Sequence, residues 1–255
     1  MGMSLHSLSS PIATHLVPST SAKPQKKTMF SVRTAPLKLR QCSRYCSPLV
    51  ARRTILQAAK MSSISEAIKK DHRELEQYYN EVINNQGDKD HQERYGNQFV
   101  WELARHSVGE ELVVYPAFEK YLGSKGKEMA ESDRKDHHVV KELLKIFQNM
   151  KPSDPEYVTQ LKNLWGPLSE HIKEEEERDL PALEQKLQEV EGESASMAKS
   201  FGRTKAFVPS RSHPSAGEHP PFETAMGLLA APIDHIADLF RKFPDNTVSP
   251  NPSTK

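Results

Sequence analysis

Beyond residue 60 the chain has no cysteine; its two, Cys42 and Cys46, both lie upstream. The body therefore has neither a disulfide framework nor a thiolate metal site, and any metal there must be held by nitrogen and oxygen. No apolar run approaches the ~20 residues of a membrane span. Acid is missing from residues 1–60, which hold ten Lys or Arg and no Asp or Glu. Residues 61–255 keep the other 25 basic residues against all 34 acidic ones, net −9, a split hidden in the overall balance of +1. A mildly acidic body without a basic stripe or interleaved aromatics argues against nucleic-acid binding. At 255 residues the chain is long enough for one or two domains with a real core.

Residues 1–60 are rich in Ser, Arg, Lys and Pro, and from Met29 arginines are spaced among apolar residues. That is the composition of a mitochondrial transit peptide, which implies a matrix protein. The alternative is a disordered tail or an over-extended start, with Met61 initiating a cytoplasmic form. Either way the leader is expected to carry no fold.

From Ser63 the pattern turns helical. Ser63 and Glu66 form a capping box, followed by a stripe of Ile68, His72, Leu75, Tyr79 and Val82. A second helix from about Asp90 carries Tyr95, Phe99, Leu103, His106, Glu110 and Val113 and is expected to break or kink near Pro116. After the loop GSKGKE a third shows Met129, Asp133, His137, Val140, Leu144 and Phe147. A fourth, opening near Pro155, shows Tyr157, Leu161, Leu164, Leu168, His171 and Glu175. The fold class is therefore all-α, an up-down-up-down four-helix bundle over residues 62–191. Residues 192–221, dominated by Ser, Pro, Gly and basic residues, read as a linker or wrapping arm. Residues 222–243 carry a last apolar stripe of Ala225, Leu229, Ile233, Ile236 and Phe240, interrupted by Pro232, expected to cover the bundle; a helix for a protein partner is the other reading. Residues 244–255 read as a disordered tail.

The decisive feature is a repeat. His72 and His137, His106 and His171, Glu110 and Glu175, Pro116 and Pro181, and Asp71 and Asp136 are each separated by 65 residues. The chain thus holds two copies of a helical hairpin, each with one His on its first helix and His-x-x-x-Glu on its second. Four residues turn a helix by about 400°, so His106 and Glu110 share a face, as do His171 and Glu175. Six ligand-type side chains converge on one core.

A lone histidine on an apolar face is more often a satisfied core residue than a ligand. Two inward glutamates change that reading, because a carboxylate in an apolar stripe is costly unless paired or bound to a metal. Neither stripe offers a well-placed Lys or Arg. The run Glu174–Glu177 is expected to be a solvated face except for Glu175. His91, His138, His213, His219 and His235 fall outside the register and are not expected to be ligands. Imidazole and carboxylate without sulfur suit iron, manganese or zinc. Six ligands exceed the four of a closed zinc site, so two metals are implied, with His72, His106, His137 and His171 as terminal ligands and Glu110 and Glu175 as bridges. Four nitrogens and four oxygens, plus an oxo or hydroxo bridge, leave roughly one open position per metal.

The pattern His72, His106-x-x-x-Glu110, His137, His171-x-x-x-Glu175 on four helices resembles the hemerythrin-like, or HHE cation-binding, domain. The resemblance covers about residues 62–190 and includes the hairpin repeat and both prolines. It implies a non-haem di-iron centre that meets dioxygen, nitric oxide or peroxide, or senses iron. Ferritin-like bundles use Glu-x-x-His instead, a spacing absent here. Oxygen-carrying hemerythrins have a second histidine one turn after the third-helix ligand; here that position is Lys141, a departure that argues against the carrier role. Two function classes remain: a binding or sensing module, and an enzyme reducing peroxide or nitric oxide. No inward acid, base or nucleophile is expected beside the ligands, which slightly favours the module.

Overall fold

The computed structural model describes residues 62–216 and 222–254, and among these every regular element is helical. The leader, with its transit-peptide reading, lies outside the described residues. Helix α1 (Ile64–Asn84) starts on the expected capping box: Ser63 Oγ accepts from the Glu66 N–H at 3.1 Å and Glu66 Oε2 from the Ser63 N–H at 3.2 Å. Helix α2 (Lys89–Phe147) opens on Asp88, whose Oδ1 accepts from the His91 N–H at 3.0 Å.

Helix α2 is two bundle helices, 89–122 and 124–147, folded back on each other at Gly123, where φ is 61° and ψ −132°. Only glycine enters that region without strain. Arg134 pairs with Glu119 at 2.9 Å, and Lys141 with Glu111 at 2.6 Å, holding the two limbs side by side. The break expected near Pro116 is therefore misplaced, and most of the GSKGKE loop is helical. A proline removes one helical hydrogen bond and strains one turn; here Tyr115, Ala117 and Phe118 are buried around it, and packing keeps the helix going.

The fourth bundle helix is α3 (Tyr157–Glu174), a π turn (Glu175–Asp179) and α4 (Leu180–Leu187) in succession. Pro181 has no N–H for the turn before it, and its ring crowds that turn's carbonyls. The turn widens, and the Leu180 N–H reaches the Glu175 carbonyl. Pro116 causes no such widening, so the repeat is not perfectly symmetric.

Two apolar clusters fill the bundle. One contains Leu75, Phe99, Leu103, Val140, Leu144, Leu161, Leu164 and Leu168. The other contains Ile64, Ile68, Val114, Phe118, Met129, Leu180, Leu183 and Phe201. On every helix the ligand-type residues lie where one cluster gives way to the other. The polar layer is thus sealed by apolar packing at both ends.

The stretch expected as linker contains a helix, α5 (Glu193–Lys205), which buries Met197, Phe201 and Lys205. Its close crossing depends on Gly109, where an added Cβ would lie 2.8 Å from Phe201 Cε2 and 3.3 Å from Lys205 Cγ. We therefore expect Gly109→Ala to push α5 outward and cost about 1–3 kcal/mol, read as a lower urea midpoint. Wild-type stability would mean that α5 is not held there.

The C-terminal segment corrects two expectations. Helix α6 (Phe222–Asp238) runs through Pro232. Its stripe does not cover the bundle: Ile233 is 70% exposed and Phe240 85%, with Leu229 and Ile236 also outward. Polar contacts dock the other face instead. His213 Nε2 lies 2.9 Å from Asp234, the Ser210 hydroxyl donates to Asp238 at 2.5 Å, and His235 Nε2 donates to the Val208 carbonyl at 3.0 Å. Residues 244–254 are not a loose tail. Asn251 Nδ2 donates to Gln98 Oε1 at 2.9 Å and the Ser249 hydroxyl to Glu74 Oε1 at 2.9 Å, tying the end of the chain to the bundle. No helix among the described residues is long and apolar enough to cross a membrane.

Candidate metal centre

All six sequence-predicted ligands are buried in the polar layer: His72, His106, Glu110, His137, His171 and Glu175. They form two histidine pairs. The rings of His72 and His106 lie 4.9 Å apart, and those of His137 and His171 4.8 Å apart, both edge-on. Glu110 spans the pairs, with Oε1 3.2 Å from His106 Nε2 and Oε2 3.4 Å from His137 Nε2. Glu175 Oε2 lies 3.3 Å from His72 Nε2. His72, His106 and Glu110 make one cluster able to hold a cation; Glu110, His137 and His171 make a second. Glu110 belongs to both. His138, by contrast, is exposed.

Five of the centre's donor atoms make no hydrogen bond. Both carboxylate oxygens of Glu110, both of Glu175 and Nε2 of His72 are buried without a hydrogen-bond partner. Such atoms are expensive unless something meets them. A nitrogen and oxygen set of this kind fits cations.

Behind each imidazole stands a second carboxylate. Glu176 Oε1 is 2.8 Å from His72 Nδ1, and Glu111 Oε1 is 2.9 Å from His137 Nδ1. Asp71 Oδ2 is 3.3 Å from His106 Nδ1, and Asp136 Oδ2 a longer 3.9 Å from His171 Nδ1. These four also obey the 65-residue offset, Glu111 with Glu176 and Asp71 with Asp136. A carboxylate that accepts from Nδ1–H leaves Nε2 as the lone pair, aimed at the centre. Glu176 is therefore a correction to the solvated-face reading of the acidic run. Three of the supporting carboxylates carry their own cation. Arg73 donates to Glu176, Lys141 to Glu111 at 2.6 Å, and Lys205 to both Asp71 and Glu102. The lysine at the position of the missing histidine thus braces His137 from behind.

Electrostatics follow from this layering. Burial, with repulsion from His72 and Lys205, pushes His106 well below the usual imidazole range, and burial also lowers His137. Both are neutral, the form that ligates. Burial opposes protonation of His72 and His171 too, but Glu175 and Glu176 for the first, and Asp136 and Glu175 for the second, raise them. Burial and the charge of Glu175 raise Glu110 well above the carboxylate range. Glu175 is also penalised by burial, but its pairing with His72 and the nearby His171 and His106 holds it down at about 2.

Two residues beside the centre were missed. The Tyr115 hydroxyl lies 2.9 Å from His137 Nε2 and is fully buried. Asp133 is buried, its Oδ2 unpartnered, and burial pushes it up to about 8. The absence of inward acids read from the sequence is thereby overturned. Asp133 had a signal, an acid in an apolar stripe four residues before His137. Tyr115 had none, since both break the repeat: the positions 65 residues away are Leu180 and Ile68.

A helical bundle whose core gathers two histidine pairs around a shared carboxylate defines a candidate cation-binding protein. The Hemerythrin HHE cation binding domain matches residues 63–183. The chain is 56% identical over 185 residues to an uncharacterized hemerythrin-like protein of Schizosaccharomyces pombe, covering 72% of this chain and 90% of the relative. It therefore belongs to the hemerythrin-like HHE cation-binding family. A fainter likeness, 24% over 149 residues, links it to a DNA nickase of Nostoc, of which 41% is covered. No solved structure matches the chain significantly.

Proposed function

We propose that the bundle holds two iron ions and binds or senses a small ligand such as dioxygen or nitric oxide. His72, His106, His137 and His171 would be the terminal ligands and Glu110 and Glu175 the bridges. The observation that carries this reading is the pair of buried carboxylates without hydrogen-bond partners, facing four imidazoles whose outer nitrogens are met by carboxylates. When bound, the irons supply reversible coordination and one-electron chemistry; the chain's own residues orient the imidazoles, seal the layer from water and hold protons beside it. Iron fits a hard, sulfur-free, six-residue set better than manganese or zinc in closed four-coordination. A surface cavity of about 290 Å³, lined by Arg73, Trp165, Ser169 and Glu176, lies over the outer side of His72. The chain Lys205, Asp71, His106 connects α5 to the centre, so a change there has a route to the C-terminal arm.

A second reading, a di-iron enzyme reducing peroxide or nitric oxide, is favoured by Tyr115 and Asp133 at the edge of the centre. Titrating iron-loaded protein with each ligand separates the two. Saturable spectral change without sustained consumption supports binding, steady consumption supports the enzyme, and no change with any ligand contradicts both. The DNA-directed name of the Nostoc relative is not carried over, because less than half of that protein is covered and the body here is acidic. Import into the mitochondrial matrix is proposed from the leader alone; N-terminal sequencing of protein from the native cell tests it.

A further inference from the structure

The two halves of the centre differ in one hydrogen-bond donor. Tyr115 is fully buried, and the only acceptors that the described residues bring to its hydroxyl are the ring nitrogens of His137, Nε2 at 2.9 Å and Nδ1 at 3.2 Å. Nδ1 is already committed: it sits 2.9 Å from Glu111 Oε1, and that carboxylate is fixed in turn by Lys141 at 2.6 Å. Nδ1 therefore carries the proton, and Nε2 carries the lone pair that the Tyr115 O–H meets. A cation on His137 takes that lone pair away. The hydroxyl is then a buried donor without a protein acceptor, a state folded chains avoid. On the other half the equivalent position is Leu180, which has no donor to offer.

We propose that the Tyr115 hydroxyl is the hydrogen-bond donor for a small ligand at the centre, and that the ligand therefore binds on the His137 and His171 side rather than the His72 and His106 side. This rests on the reading of the centre as a di-iron, ligand-binding site. The ligand class is a small anion or reduced oxidant that presents a lone pair while coordinated: azide, hydroperoxide or nitric oxide in its reduced form. The donor arm is rigid, because Tyr115 is packed between Phe118, at 6.0 Å between ring centroids, and His137, at 5.3 Å. Asp133 lies on the same side, in a cluster with Asp136 and His171, so the polar asymmetry of the layer points one way.

The probe is azide, added to iron-loaded wild-type protein and to Y115F, with iron content measured on both. Y115F should keep its iron and bind azide about tenfold or more weakly, as expected for loss of a hydrogen bond to a charged acceptor. The bound azide stretch should shift on transfer to D₂O in wild type and not in Y115F. An iron-loaded Y115F with wild-type azide affinity overturns the assignment of Tyr115. Should Y115F lose iron, wild type decides alone: a shifted stretch supports the proposal and an unshifted one overturns it. Iron-loaded wild type that takes up no azide at all overturns the ligand-binding reading beneath it instead.

Discussion

Glu175→Gln should lose much of the protein's iron, while Glu174→Gln, one residue earlier, should keep it. The two differ by about 100° around one helix. Glu175 is fully buried, 3.3 Å from His72 Nε2, with both carboxylate oxygens free of hydrogen bonds. Glu174 is 54% exposed and meets only Arg178, at 3.2 Å, an i,i+4 surface pair worth at most about 1 kcal/mol. An amide at 175 removes the charge and replaces one carboxylate oxygen with a nitrogen that does not ligate. Stability should follow occupancy, because a ligand that binds only the folded state raises the midpoint by mass action. Metal-free protein should behave differently at the two inward glutamates. Glu110→Gln relieves a carboxylate that burial and Glu175 disfavour, whereas Glu175→Gln breaks its pairing with His72. Iron content and thermal midpoint of the three variants, loaded and metal-free, check this; equal iron loss at 174 and 175 would refute the assignment.

Lys205→Met should cost about 3–5 kcal/mol, the usual consequence of leaving buried charges without their partner. The Lys205 ammonium is the cation shared by Asp71 and Glu102, both buried, and it is delivered by α5 from outside the bundle. Its loss should also reach the centre. Asp71 stands 3.3 Å behind His106 Nδ1, and disturbing such a supporting carboxylate typically lowers metal affinity by about 10–100-fold. Lys199→Met, at an exposed position on the same helix, should be near neutral. Urea unfolding gives the first effect and competition with a chelator the second. If K205M and K199M behave alike, α5 is an ornament rather than a brace.

The sequence was most legible where a side chain had to satisfy two regularities at once. His72, His106, Glu110, His137, His171 and Glu175 each keep both the helical stripe and the 65-residue offset, and the structure gathers all six in one layer. Glu111 and Glu176 keep the offset but not the stripe. They turn toward a neighbouring helix, and adjacency to a run of acids disguised one of them as solvated surface. Tyr115 and Asp133 keep no offset; Asp133 keeps only the stripe, and Tyr115 is revealed by three-dimensional proximity to His137 alone. Helix α5 was hidden because ESASMAKSFGRTK holds three Ser, a Thr and a Gly among its basic residues; it is stabilised by long-range packing against Gly109 rather than by propensity. The α6 stripe misled for the opposite reason. Apolar periodicity predicts a buried face, but here the clasps of Asp234, His235 and Asp238 chose the face that docks. Proline at 116 suggested a break, and the chain turned instead where Gly123 could adopt a positive φ.

The central claim is a binuclear centre built by both hairpins together, and metal analysis of protein expressed in iron-replete medium tests it most directly. Close to two irons per chain is the expected result, falling toward none when either His106 or His171 is replaced by alanine, since each hairpin contributes to the shared layer. One metal per chain or none in iron-replete protein, or zinc in place of iron, would contradict it.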